Sequence, residues 1–198
     1  MIWAVVLAAG ESRRMGTQKL LLPFGDTTVA GAVVKAVEAS RASRTLVVLG
    51  ADREAVRSEL ESEAPSKSFD FAVNPDYRLG MLTSIQAGIR AMPPEAKAAV
   101  IVLGDQPFLA SRVIDMIVEA YGKSAKGIVI PAFKGRRGHP VLIDLKYRAE
   151  VLALDPCDGL RALMLAHPED ILEVEVDDPN ILRDLDTPED YRNGPKPS

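Results

Sequence analysis

IWAVVLAAGESRRMGTQK, residues 2–19, is the stretch on which the fold turns. Its first part, Ile2 to Leu7, is a short apolar run rich in Val and Ile, the pattern of a parallel strand buried on both faces. The run ends in Ala8, Ala9 and Gly10. A second glycine follows at Gly16, with three cations nearby at Arg13, Arg14 and Lys19. Small residues let a backbone approach a ligand closely, and glycines permit φ values that turn amide N–H groups inward as an anion nest. Arg and Lys add positive charge. Together these features predict a triphosphate cradle at the C-terminal end of the first strand, where open α/β sheets bind ligands. Two other glycine motifs are excluded. A P-loop has four residues between its glycines and then Lys-Ser or Lys-Thr, whereas five residues separate Gly10 from Gly16 here. The dinucleotide fingerprint places glycine two residues after the first, and that position is Ser12.

The 198 residues suit one domain, expected over 1–192 with a disordered tail at 193–198. A net charge of −4 argues against nucleic acid or an anionic membrane as partner. One cysteine, Cys157, permits no internal disulfide and fits a reducing compartment. No apolar run has membrane-spanning length, and no basic region precedes the first apolar run as in a signal peptide. The cytoplasm is the expected location.

Outward from the first loop, strands and helices alternate. Thr27 or Thr28 can cap a helix whose stripe is Val29, Val33 and Val37. Strands are expected at Thr45–Leu49, Phe69–Val73, Ala98–Leu103, Gly127–Pro131 and Pro140–Ile143, and a polar surface loop at 61–68. Asp52, Ser111 and Asp158 are candidate helix caps. Leu82, Ile85 and Ile89 have helical spacing after Gly80. Ile171 to Val176 alternates like a half-exposed edge strand. Thr187, Pro188 and Asp190 have the spacing of a capped helix start. The expected architecture is a three-layer, Rossmann-like α/β fold, with a mainly parallel sheet and an antiparallel edge.

Three groups could carry chemistry. Asp105 directly follows an apolar strand, on the rim shared with the first loop, and is a hard oxygen ligand suited to Mg²⁺; a turn aspartate before Pro107 is an equal reading. Asp184 and Asp186 form a D-x-D pair that could complete a metal site or simply be solvated. His139 ends a loop bearing Lys134, Arg136 and Arg137, and either meets an acceptor or sits at the surface.

Taken together, LAAGESRRMGTQK resembles the signature loop of the small nucleotidyltransferases with a MobA-like fold, and VLGDQP resembles their metal-binding strand end. GRRGHPV and DLDTPEDY resemble the later motifs of the branch that acts on molybdopterin, nearest the molybdenum cofactor cytidylyltransferases. The resemblance runs from Ile2 to Tyr191. It implies CMP transfer from CTP to the acceptor phosphate with Mg²⁺. It places Leu7, Ala8, Ala9, Gly10, Ser12, Arg13 and Gly16 along the nucleotide, Arg14 and Lys19 on its phosphates, and Gly80 and Ser84 near the base. Asp105 would bind Mg²⁺ with Asp184 and Asp186 close by, and Arg14, Lys19 and Asp105 would be catalytic. Gln106, Gly138, His139 and Pro140 fall on the acceptor side. Arg136 and Arg137 join them by charge alone. A receiving molybdoenzyme or its chaperone is an implied partner. The LAAG form favours CTP over GTP. Sugar phosphate or methylerythritol phosphate acceptors, and a non-catalytic nucleotide-binding chaperone, remain alternatives.

Overall fold

A computed structural model of the chain describes residues 1–63 and 69–193. Of the loop expected at 61–68, residues 61–63 instead close a helix and 64–68 lie outside the described residues; of the tail expected at 193–198, Asn193 ends a helix and 194–198 lie outside them. The opening run forms β1 (Ile2–Ala8), with Trp3 to Val6 all buried. A ribbon of β2 (Pro23–Phe24) and β3 (Thr27–Thr28) leads into α1 (Val29–Glu38), where the Thr28 hydroxyl accepts from the Gly31 amide. Then come β4 (Arg44–Leu49), α2 (Arg53–Glu63), β5 (Asp70–Val73), α3 (Met81–Ala91), β6 (Ala98–Leu103) and α4 (Ser111–Lys123). The chain continues through β7 (Ile128–Phe133), the two-residue β8 (Arg136–Arg137), β9 (Val141–Asp144), α5 (Arg148–Ala153), α6 (Arg161–Ala166), β10 (Ile171–Glu175) and α7 (Pro188–Asn193).

The main sheet has the order β10-β7-β9-β6-β1-β4-β5. β1 is central and pairs in parallel with both β4 and β6. Side-chain alternation sends Ala4, Val6 and Ala8 to one face, against Val33 and Val37 of α1, Val56 of α2 and Ile114 and Ile117 of α4. Trp3 and Val5 face the other way, into a second core with Leu82, Ile85 and Ile89 of α3, Val151 of α5 and Leu163 of α6. These are the three layers expected from the alternating elements. None of the described helices is long and apolar enough to cross a membrane.

The sheet differs from expectation in one respect. Its main reversed strand is internal: β9 runs antiparallel between β6 and β7, and the two-residue β8 also pairs antiparallel with β7, while the edge strand β10 is parallel to β7. The chain turns back at Lys134 and Gly135, both at positive φ, so β9 can fill the gap beside β6. Three caps also differ. Ala110, not Ser111, precedes α4, and Leu160, not Asp158, precedes α6. Asp52 sits at φ +49°, and its carboxylate accepts from the Gln18 amide instead of capping α2. At α7 the expected start is present. The Thr187 hydroxyl accepts from the Asp190 amide, and the Asp190 carboxylate accepts from the Thr187 amide and hydroxyl.

α3 lies close to the sheet at Gly88, where an added Cβ would be 2.6 Å from Val5 Cγ1 and 3.2 Å from Val48 Cγ2. Glycine there gives up helix propensity for close approach. Gly88→Ala is therefore expected to destabilise the fold by about 2 kcal/mol through overpacking. Urea denaturation checks this; a stabilised variant would mean that α3 can move away freely.

Candidate active site

At the C-terminal ends of β1 and β6 a cleft of about 610 Å³ opens. The backbone there is crowded. The Gly104 amide donates to the Leu7 carbonyl, and the Ala51 amide to the Ala9 carbonyl. An added Cβ at Gly104 would lie 2.6 Å from the Leu7 oxygen, and one at Gly50 would lie 2.6 Å from the Ala9 oxygen. Only glycine fits at these two flanking positions, which brings the ends of β4 and β6 tight against the first loop.

Leu7, Ala9 and Gly10 line the cleft, and no protein atom lies within 4 Å of where a Gly10 Cβ would be. Ala8 faces the core instead. The left-handed positions of the loop are Ser12 at φ +52° and Gly16 at φ +70°; Gly10 is not among them. A non-glycine residue held left-handed needs compensation. The Ser12 hydroxyl supplies it, donating to Gln18 Oε1 at 2.7 Å and accepting from the Lys19 amide at 3.0 Å. Gln18 Nε2 in turn donates to the Gly10 carbonyl at 3.2 Å and to Asp52 at 3.1 Å. Gln18 thus stitches both halves of the loop together. In the sequence nothing singled it out beyond its place in the first loop.

Ser12, Arg13, Arg14 and Lys19 face the cleft, whereas Gly16 lies outside its lining. Lys19 Nζ is 2.5 Å from Asp105 Oδ2 and 3.2 Å from Asp186 Oδ1, and Arg14 is 2.9 Å from Asp186 Oδ2. The Leu185 amide donates to the Asp105 carbonyl, holding the 184–186 segment beside the end of β6. Burial pushes the Asp105 carboxyl above the usual carboxylate range. Lys19 opposes that shift, and Asp184 and Asp186 add to it.

Among the described residues, no three Asp, Glu, His or Cys side chains are grouped so as to hold a metal ion. The expected trio of Asp105, Asp184 and Asp186 is therefore not a ready ligand set. Asp184 accepts from Gln106 Nε2 at 2.7 Å, and Asp186 is shared between Arg14 and Lys19. The donors present nevertheless fit a hard cation. Mg²⁺ commonly takes one or two carboxylates and completes its shell with phosphate and water oxygens.

The opposite wall is formed by Tyr77, Arg78, Gly80, Met81 and Ser84. Gly80 takes φ +120° at the start of α3 and packs beside the turn at Pro156 and Cys157, 3.7 Å from the Pro156 carbonyl oxygen to an ideal Cβ. Asn74 is buried and donates to the hydroxyls of Thr83 and Ser84 at 2.8 and 2.9 Å. Glu11 spans the cleft mouth, paired with Arg13 and Arg78 at 2.6 and 3.0 Å. Those two cations hold its carboxyl below the usual range. Sequence reading missed Glu11, Tyr77 and Arg78 as lining residues, since it weighed the cations and glycines of the first loop and, on this wall, only Gly80 and Ser84.

Of the residues expected at the acceptor, His139 reaches the cleft. Burial lowers the pKa of its imidazole against the pull of Asp184 and Asp105, so the ring is largely neutral at pH 7. Arg136 and Arg137 do not line the cleft. β8 pairs with β7, Arg136 is exposed, and Arg137 donates to Glu173 of β10 at 2.6 and 2.9 Å. Gln106 is buried and supports Asp184 from behind. Gly138 packs on the Ile181 carbonyl, and Pro140, joined to His139 by a cis peptide bond, is buried.

Residues 4–171 match the MobA-like NTP transferase domain. The chain is 28% identical over 187 residues to the molybdenum cofactor cytidylyltransferase of Escherichia coli strain K12, covering 94% of this chain and 92% of that protein. It is 29% identical over 192 residues to the purine catabolism protein PucB of Bacillus subtilis strain 168, with the same coverages of 94% and 92%. The crystal structure of Rv0371c from Mycobacterium tuberculosis H37Rv aligns with a TM-score of 0.84 at 30% identity, covering 96% of this chain and 95% of that one. Its complex with manganese gives 0.78 at 28% identity, covering 96% of each.

The raised Asp105 carboxyl has a consequence for stability. An acid whose pKa is raised by folding binds its proton more readily in the folded state. Stability therefore falls as pH rises from the ordinary aspartate value, about 3.9, through the folded value. Above the ordinary value the fold bears that cost, so at pH 7 Asp105→Asn should raise the thermal midpoint of the metal-free protein. Calorimetry in chelator at pH 7 and at successively lower pH checks this, and the difference should shrink on acidification. A lowered midpoint at pH 7 would mean that the Lys19 contact outweighs burial.

Proposed function

The chain belongs to the MobA-like NTP transferase family, and on that ground we propose that it transfers CMP from CTP to the phosphate of a molybdopterin-type acceptor. The observation that carries this reading is the single cleft in which Arg13, Arg14, Lys19 and Asp105 face a wall containing Gly80 and Ser84. Cations for the phosphates, and the small residues Gly80 and Ser84 set among Tyr77, Arg78 and Met81 on the facing wall, suit a nucleoside triphosphate. An oxygen of the acceptor phosphate attacks the α-phosphorus. The bond from that phosphorus to the bridging oxygen breaks, and pyrophosphate leaves with the electron pair. The acceptor oxygen is already anionic, so alignment and charge neutralisation are the main tasks of the protein.

Arg14 and Lys19 bind the triphosphate oxygens, with Arg14 on the distal phosphates. Gln18 holds the loop that presents them. Asp105 would hold Mg²⁺, aided by phosphate oxygens, and the ion supplies charge stabilisation at the phosphoryl oxygens when bound. Ala9 and the similarity to the E. coli cytidylyltransferase favour cytidine. His139 meets the acceptor as a neutral hydrogen-bonding group. The product would pass to a molybdoenzyme or its chaperone, and the single cysteine suits the reducing cytoplasm we propose for these steps.

Pyrophosphate release measured with each NTP, with and without molybdopterin, tests the reading. CTP with molybdopterin should give release, at least about tenfold faster in kcat/KM than GTP. Release only with another acceptor, or a preference for GTP, would replace the assignment. Arg14→Ala should weaken CTP binding more than CMP binding, and equal losses in calorimetry would move Arg14 off the distal phosphates. On the acceptor side, His139→Ala should raise the acceptor KM and leave that for CTP nearly unchanged. Arg137→Ala should change neither, since its guanidinium is engaged by Glu173 outside the cleft. An acceptor defect in the Arg137 variant would restore that loop to the site.

A further inference from the structure

Asp186 lies between two cations of the first loop. Its two oxygens divide between the two side chains assigned to the nucleotide phosphates, Oδ1 to Lys19 at 3.2 Å and Oδ2 to Arg14 at 2.9 Å. The Asp186 side chain is 34% exposed and lines the cleft, so incoming ligand can reach it. Its backbone is fixed from both sides. The Asp186 amide donates to the Asp190 carboxylate at 3.1 Å, and the preceding residue, Leu185, is buried and bonded to the Asp105 carbonyl. The carboxylate is therefore held in place by the capped start of α7 and by the end of β6. It meets two cations from a different part of the chain, 167 residues away at Lys19.

We infer that Asp186 is an internal stand-in for a nucleotide phosphate: it positions Arg14 and Lys19 in the nucleotide-free protein and yields them to the triphosphate by ion exchange. This rests on the proposed function for the identity of the nucleotide but not for the exchange itself. Arg and Lys carry much rotamer freedom, and ordering them costs free energy on binding. A resident carboxylate holds them in the cleft beforehand. It also competes with the ligand, since its own ion pairs must break. Asp105 is spared this exchange: it keeps Lys19 at 2.5 Å on the other side, so the ammonium stays anchored when Asp186 lets go. Partly exposed ion pairs are individually weak, which suits a contact that must give way in every catalytic cycle.

The consequence is a split between affinity and order. Removing the negative charge at 186 removes a competitor and should tighten polyphosphate binding. It also lets Arg14 swing, so phosphates should be bound more tightly but held less well. The test uses Asp186→Asn, with Asp186→Glu as the charge-retaining control. Binding of CTP and, separately, of inorganic tripolyphosphate is measured by calorimetry in chelator, without metal. Asp186→Asn should bind both ligands about fivefold more tightly than the unaltered protein, corresponding to about two weak ion pairs removed. Asp186→Glu should stay within about twofold of it. The gain should shrink as salt is raised, because salt screens the competing pairs. Unchanged or weaker binding by a folded Asp186→Asn variant, as judged by its thermal midpoint, overturns the inference. Absence of any tripolyphosphate gain in Asp186→Asn overturns the exchange alone. The cytidine reading is judged separately, by repeating CTP binding with Mg²⁺ present: a gain for tripolyphosphate without CTP binding in either condition would support the exchange and refute that reading.

Discussion

Backbone crowding at the end of β1 is the constraint on which the site depends. β1 has hydrogen-bonded partners on both edges and a packed core on both faces, so a ligand can meet it at an end but not along its length, and the cleft opens at its C-terminal end. There Gly50 and Gly104 permit approach to the Ala9 and Leu7 carbonyls that a Cβ would forbid. The two neighbouring strands consequently deliver their own loops to the same spot. β6 brings Asp105, and Asp105 brings the 184–186 segment through the Leu185 amide. The charged groups of the cleft are gathered by packing well before any of them attracts another.

Much of this was legible in the residues. Buried parallel strands read as unbroken apolar runs, so β1, β4 and β6 stand out, and the capped helix starts at Thr28 and Thr187 follow from hydroxyl placement. The direction of β9 was not legible. Pro140 to Ile143 is apolar whichever way it runs, and only the turn at Lys134 and Gly135 decides. Charge clustering was a poor guide for the same kind of reason. Lys134, Arg136 and Arg137 are adjacent in sequence, but β8 pairs with β7 and directs Arg137 toward Glu173. His139, two residues on, turns the other way into the cleft.

The roles of the carboxylates illustrate a further limit. An aspartate at a strand end and a D-x-D pair look like metal ligands by type, because type is all that sequence records. Their partners decide what each does. Asp184 is engaged by a buried amide, Asp186 by two cations, and Asp105 by one ammonium in a largely buried setting. Gln18 shows the reverse case. It carries no charge and matches no motif, yet its one side chain accepts from Ser12 and donates to Gly10 and Asp52. Its importance is purely a matter of where the loop folds back.

The turn beside Gly80 also lends itself to spectroscopy. Cys157 is the chain's only cysteine, and its thiol is exposed. Asp155 raises its pKa, so it is a sluggish nucleophile at neutral pH and a selective one under mildly alkaline labelling. The adjacent Pro156 carbonyl faces Gly80, which forms part of the cleft wall. A fluorophore attached at Cys157 would therefore sit behind the wall, outside the cleft itself. Its emission would report on the surroundings of the Gly80 turn, giving an optical probe beside the cleft without substituting any residue of the chain.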